Sequence, residues 1–168
     1  DQSGNGNDAV QSTYASMPLI ASGGNLYTTP YFDGTNYYMT VTQNTGLELS
    51  SKLSISAYYN TSASSAQTGY IICKNYNTAG TAQYGMYWDV GTVANTNAII
   101  LNGTGVNSLA NSVLSGSWYH VVGSWDGTNV YHYINSVLND TDSASGTLTT
   151  GRPNMFIGCR SSATDGST

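Results

Sequence analysis

The strongest constraint in this chain is the spacing of its apolar residues, which recur every second position in short runs. In Leu53-Ser54-Ile55-Ser56-Ala57-Tyr58-Tyr59, residues Leu53, Ile55, Ala57 and Tyr59 share one face, and Ser54 and Ser56 take the other. Tyr84, Met86, Trp88 and Val90 alternate with Gly85, Tyr87 and Asp89 in the same way. Comparable runs fall at 37–43, 70–74, 97–102, 118–125, 130–135 and 155–159, each bounded by Gly, Asn, Ser or Asp. No window sustains the i, i+3, i+4, i+7 pattern of an amphipathic helix. The chain therefore reads as all-β, an antiparallel sandwich or barrel.

Turn chemistry agrees. Asp33-Gly34-Thr35-Asn36 and Asp126-Gly127-Thr128-Asn129 are identical tetrapeptides, each after an aromatic residue and before a Tyr-containing run. Asp-Gly supplies the positive φ of tight hairpin turns, so both read as β-hairpins. Asp165-Gly166-Ser167-Thr168 repeats the theme without a fixed period, so no repeat architecture is implied. Pro18, Pro30 and Pro153 lie where strands start or loops run. A chain of 168 residues without a long linker is expected to form one domain.

Composition excludes several roles. Lys and Arg number 4 and Asp and Glu 9, so 8% of residues are charged, against roughly 25% in an ordinary soluble domain. Ser, Thr, Asn and Gly together make 79 of the 168 residues, and hydroxyls and amides supply the hydrophilicity. With a net charge of −5, no basic patch is available for phosphates, and nucleic acid is excluded as a partner. Apolar runs such as Ala98-Ile99-Ile100-Leu101 are too short to span a membrane. The opening at Asp1 carries no signal-like segment, so any export signal is expected to have been removed. Cys73 and Cys159 sit far apart in short apolar runs without a Cys/His cluster, leaving one disulfide or two buried thiols as alternatives.

Catalytic readings find little support. Retaining glycoside hydrolysis needs two carboxyls about 5–5.5 Å apart, yet the single glutamate, Glu48, follows Thr45-Gly46 in a loop. Asp140 and Asp142 read as solvated carboxylates at a turn-rich strand end. His120 and His132 stand mid-strand, and no Gly-x-Ser-x-Gly elbow accompanies them.

Trp118-Tyr119-His120-Val121-Val122-Gly123-Ser124-Trp125-Asp126-Gly127-Thr128-Asn129-Val130-Tyr131 resembles the central signature of the laminin-G-like, concanavalin A-like lectin/glucanase jelly-roll domains. Phe32–Tyr38, Leu53–Ala57, Asn154–Gly158 and the opening Asp1–Asp8 resemble other parts of that family in the right order. The resemblance implies a jelly-roll β-sandwich over residues 1–168, and it departs from the family in two places. Asn135-Ser136 stands where relatives usually carry Asn-Gly, and the final strand of the family is expected to be lacking.

Asp1-x-Ser3-x-Asn5-Gly6 has the oxygen spacing that opens calcium loops, although Ser12 replaces the glutamate of an EF-hand. The resemblance implies one structural calcium ion held by Asp1, Asp8 and Asp165. For sugar recognition, Tyr87 with Asp89 and Tyr131 with Tyr133 pair an aromatic ring with a neighbour on one strand face, while packing alone also explains them. Sequons occur at Asn60, Asn102 and Asn139. The expected function is a non-catalytic carbohydrate-binding or adhesion module of a secreted, cell-surface or viral protein. The alternative is a structural assembly module, such as a virion decoration or fibre domain, because sparse charge favours self-association.

Overall fold

The structure is a computed structural model describing residues 1–22, 28–61, 68–76, 82–89, 95–151 and 154–159. Its strands are β1 (Ala9–Val10), β2 (Leu19–Ser22), β3 (Thr28–Tyr31), β4 (Met39–Val41), β5 (Leu53–Asn60), β6 (Gly69–Tyr76) and β7 (Ala82–Asp89). They continue as β8 (Thr96–Leu101), β9 (Thr104–Asn107), β10 (Trp118–Trp125), β11 (Asn129–Ile134), β12 (Val137–Ser143) and β13 (Met155–Ile157). A larger sheet runs β1-β4-β13-β6-β7-β8-β9 and a smaller one β12-β11-β10-β5, with β2 and β3 forming a separate ribbon. All pairings are antiparallel. This is the expected sandwich of two sheets.

The alternating runs became strands because each buries one side between the sheets. Tyr84, Met86 and Trp88 of β7 meet Ile99 and Leu101 of β8, and Leu53, Val121, Trp125, Val130 and Ile134 supply the opposing wall. The Trp88 indole N–H donates to the Val113 carbonyl and that of Trp125 to the Ala144 carbonyl, so neither large ring is buried with an unpaired donor. At Gly123 the two sheets come close together. A Cβ there would stand 2.1 Å from Cδ1 of Ile99, a fully buried core residue.

The two Asp-Gly turns part company. Asp126 closes a hairpin between β10 and β11, its Oδ1 accepting from Thr128 N (2.8 Å) and Asn129 N (2.7 Å). Asp33 Oδ1 accepts from Thr35, Asn36 and Tyr37 in the same manner, yet this turn is no hairpin. Its flanks are claimed elsewhere, β3 by β2 and β4 by β1 and β13. Asn135 (φ 50°) and Ser136 (φ 70°) do make the tight β11–β12 turn without a glycine. Strands β1, β2, β3, β9 and β12 had no clear alternating signal, and Pro30 lies within the β2–β3 ribbon.

Cys73 and Cys159 are not joined by a disulfide. Cys73 pairs across the ladder with Phe156, and Gly158 N still donates to Ile71 O, so the register continues towards Cys159. Cys159 lies three positions beyond the residue paired with Cys73 and past the end of β13, and both thiols are free. Cys73 is fully buried, and burial pushes the half-buried Cys159 thiol up to about 11.

Lys74 and His132 are among the buried polar side chains. Lys74 Nζ donates to Gln43 Oε1 (2.7 Å) and stands 3.3 Å from Glu48 Oε1, while Glu48 Oε2 accepts from Gly151 N (2.7 Å). Burial works against the Glu48 carboxylate, but the Gly151 N–H and Lys74 outweigh it and hold the carboxyl below its usual range. His132 of β11 is completely buried, and among the described residues neither ring nitrogen has a hydrogen bond of normal geometry. Burial lowers it to about 4, against smaller raising effects from Asp140 and the Val106 backbone.

Two outcomes are expected. Gly123→Ala should cost about 1–3 kcal/mol through overpacking against Ile99, read as a lowered urea midpoint; an unchanged midpoint would contradict the close contact. The unfolded chain protonates His132 near 6.5 and the folded chain near 4, so stability is lost as pH falls through that window. The loss should reach about 3 kcal/mol, and His132→Leu should flatten the melting temperature between pH 6.5 and 4. A wild-type profile already flat there would contradict it.

Candidate functional site

The outer faces of the two sheets differ. On the larger sheet, Cys73, Ile100 and Phe156 are buried. Tyr87 stacks on Tyr70 (5.5 Å between centroids), and Tyr38 lies 6.3 Å from Phe156. The Tyr87 hydroxyl sits directly over Gly105, where a Cβ would meet it at 2.1 Å. Burial, followed by the charge of Asp89, pushes the Tyr87 phenol up to about 12. Asp89 is 3% exposed and accepts from Thr68 Oγ1 at 3.4 Å. The Tyr87/Asp89 candidate is thus packed into the sheet.

The smaller sheet presents an open face. Register places Ser54 opposite Ser124, Ser56 opposite Val122, and Tyr58 opposite His120. It continues with Ser124 opposite Tyr131 and Val122 opposite Tyr133, so all of these point away from the core. Contacts across and diagonally between the strands tie the rows together. Tyr58 and Trp118 stack with centroids 5.1 Å apart and planes at 15°, while remaining 65% and 45% exposed. Ser56 Oγ meets His120 Nε2 at 2.9 Å, and Ser54 Oγ meets Ser124 Oγ at 2.8 Å. The His120 backbone N–H donates to Asn135 Oδ1.

Tyr131 and Tyr133 share this face as their spacing implied, half-buried on β11. The Tyr131 hydroxyl donates to Asp126 Oδ2 at 3.1 Å, and that bond raises the phenol's pKa. Tyr58 and Trp118 were not singled out from sequence. The signal was present: Tyr58 has the parity of Ser54 and Ser56, and Trp118 that of His120 and Ser124. Two exposed rings, hydroxyls and an imidazole on one sheet offer stacking surface together with donors and acceptors.

The carboxylates do not gather. Among the described residues, no group of three or more His, Cys, Asp or Glu side chains is placed to hold a metal. Asp1 and Asp8 do come together, with Asp8 Oδ1 on the terminal ammonium. Asp1 accepts from Ser3 N, Ser3 Oγ and Asn7 N. Asp165 lies outside the described residues. Glu48 is committed to Lys74 and Gly151. Asp140 and Asp142 lie on strand β12, and burial with Asp140 nearby raises the Asp142 pKa. Two sequons have structural duties: Asn102 bridges Thr147 O and Thr149 N, and Asn139 Oδ1 accepts from Leu109 N.

No helix of the described residues is long and apolar enough to cross a membrane. A laminin-G family model, described as the concanavalin A-like lectin/glucanases superfamily, matches residues 33–168. No curated protein sequence matches the chain. Among solved structures, domain 4 of AbnA, a GH43 extracellular arabinanase from Geobacillus stearothermophilus in complex with arabinotriose, is 16% identical with a TM-score of 0.50. That match covers 73% of this chain and 58% of the other. The Ruminococcus gnavus IT-sialidase CBM40 bound to α2,3-sialyllactose is 14% identical with a TM-score of 0.51, covering 71% and 69%. A heptameric SAP-like pentraxin from Limulus polyphemus is 17% identical, covering 66% and 54% with a TM-score of 0.48. The chain thus spans little more than half the length of the pentraxin and the arabinanase domain. At these identities the likeness is one of fold.

Acrylamide should quench one of the three tryptophans readily, because Trp88 and Trp125 are buried and Trp118 is not. Trp118→Phe should remove the accessible component. Retention of that component in the variant would contradict the placement.

Proposed function

The chain belongs to the concanavalin A-like lectin/glucanase superfamily, and from that premise we propose that it is a non-catalytic carbohydrate-binding module of an extracellular protein, using the outer face of its smaller sheet. The observation that carries this reading is the exposed Tyr58–Trp118 stack beside the Ser56–His120 and Ser54–Ser124 pairs. Aromatic rings accept the apolar faces of sugars, and hydroxyl and imidazole groups pair with sugar hydroxyls. The carbohydrate-bound arabinanase domain and sialidase module support it by fold. No catalytic family is indicated by the matches.

Exposed Val137 and Leu138 favour a second reading, in which the module acts by self-association or assembly. Both residues sit on β12, and Leu138 pairs with Tyr133 at the margin of the same face.

A glycan array with the folded chain, in calcium and again in chelator, tests both readings. We expect saturable binding that survives chelation, since the face carries no carboxylate cluster. Trp118→Ala should weaken it at least about tenfold, equivalent to ~1.4 kcal/mol, with the melting temperature kept within a few degrees. A blank array with concentration-dependent oligomers that Leu138→Ser abolishes would replace the first reading with the second. Loss of binding in chelator would return attention to Asp1, Asp8 and Asp165.

A further inference from the structure

The charge and shape of the face go further than its membership of a sugar-binding fold. The chain has four cations. Lys74 is buried against Glu48, and Arg152 and Arg160 flank β13 of the other sheet in sequence. Lys52 stands just before β5 at one end of the smaller sheet, where Asp126 faces its charge. Between Ser54 and Asn60 on β5, and across to Tyr131 and Tyr133 on β11, every outward side chain described is uncharged or imidazole. A sugar carboxylate or sulfate laid on these rows would give up water without gaining a cation from any of their described side chains. The net charge of −5 opposes the approach of any polyanion as well.

Shape adds a second restriction. The cross-strand rows of the face lie about 6.6–6.8 Å apart along the strands. The aromatic stack sits at one end, near Asn60 and Trp118, and the tyrosines Tyr131 and Tyr133 lie one to three rows away. Rings spaced over several rows of one sheet face favour several sugar units lying side-on over a single terminal unit.

We propose that this face takes internal stretches of an uncharged, extended polysaccharide and rejects acidic glycans. The inference rests on the carbohydrate-binding reading above and specifies the ligand of that same face. Hydroxyl-rich units meet Ser54, Ser56, His120 and Ser124, while Tyr58 and Trp118 hold the apolar side of one unit.

Calorimetric titration of the folded chain tests it with neutral series (cello-, manno-, xylo- and arabino-oligosaccharides of two to six units) and with acidic probes (oligogalacturonates and sialyllactose). For at least one neutral series, affinity should rise about tenfold or more from two to six units. It should vary less than about twofold between 50 and 500 mM salt, since no ion pair is formed. Trp118→Ala should abolish it and Trp118→Tyr should largely restore it, which separates loss of stacking from loss of folding. Preference for an acidic series with strong salt dependence, or equal affinity for two and six units, would overturn this inference while leaving carbohydrate binding intact. No binding in any series would overturn both.

Discussion

The register of β10 is the constraint on which the rest of this structure depends. It is central in the smaller sheet, held by β5 on one side and β11 on the other. Because side chains alternate, that register sends Val121, Gly123 and Trp125 inward and Trp118, His120, Val122 and Ser124 outward. A slip of one residue would bury an imidazole and expose Trp125. It would also lift Gly123 away from Ile99, the contact that lets the two sheets approach closely. Core and candidate site are two sides of one strand.

The two sheets divide the work. The larger one is closed on its outside by its own tyrosines, with Tyr70 and Tyr87 stacked and Tyr38 over Phe156. An ion pair between the buried Lys74 and the half-buried Glu48 ties the segment after β4 to β6 and on to Gly151. Removing Glu48 would leave the fully buried Lys74 without its ion-pair partner, a destabilising change. The smaller sheet leaves its outward rows open, and its polar groups pair with one another across and diagonally between strands. That arrangement holds the proposed binding surface in place before a ligand arrives, which reduces the ordering cost of binding.

Much of this was legible from alternation and turn residues, because burial of one strand face imposes a period of two wherever a sheet covers a core. The alternating runs at 53–59, 84–90 and 118–125 became β5, β7 and β10. The short partners β1, β9 and β12 escaped because two to seven residues at sheet edges need little apolar patterning. Pairing is not local, which explains the other differences. Nothing in Asp33-Gly34 reveals that its flanking strands find partners elsewhere, and nothing near Cys73 or Cys159 reveals their offset. The faces of Tyr87 and Tyr131 followed from parity, but which sheet face stays open depends on what packs over it. Tyr58 and Trp118 belong together only through the β5–β10 register, 60 residues apart in sequence.

The most direct measurement is a nuclear magnetic resonance titration of the folded chain with a soluble neutral oligosaccharide, following the three indole N–H signals and the backbone amides. The account requires the Trp118 indole and the amides around Tyr58, His120 and Ser124 to move together. The indoles of Trp88 and Trp125, bonded to Val113 and Ala144 in the core, should stay in place. Shifts gathered instead around Tyr87 and Asp89, with Trp118 unmoved, would place recognition on the larger sheet and contradict the account.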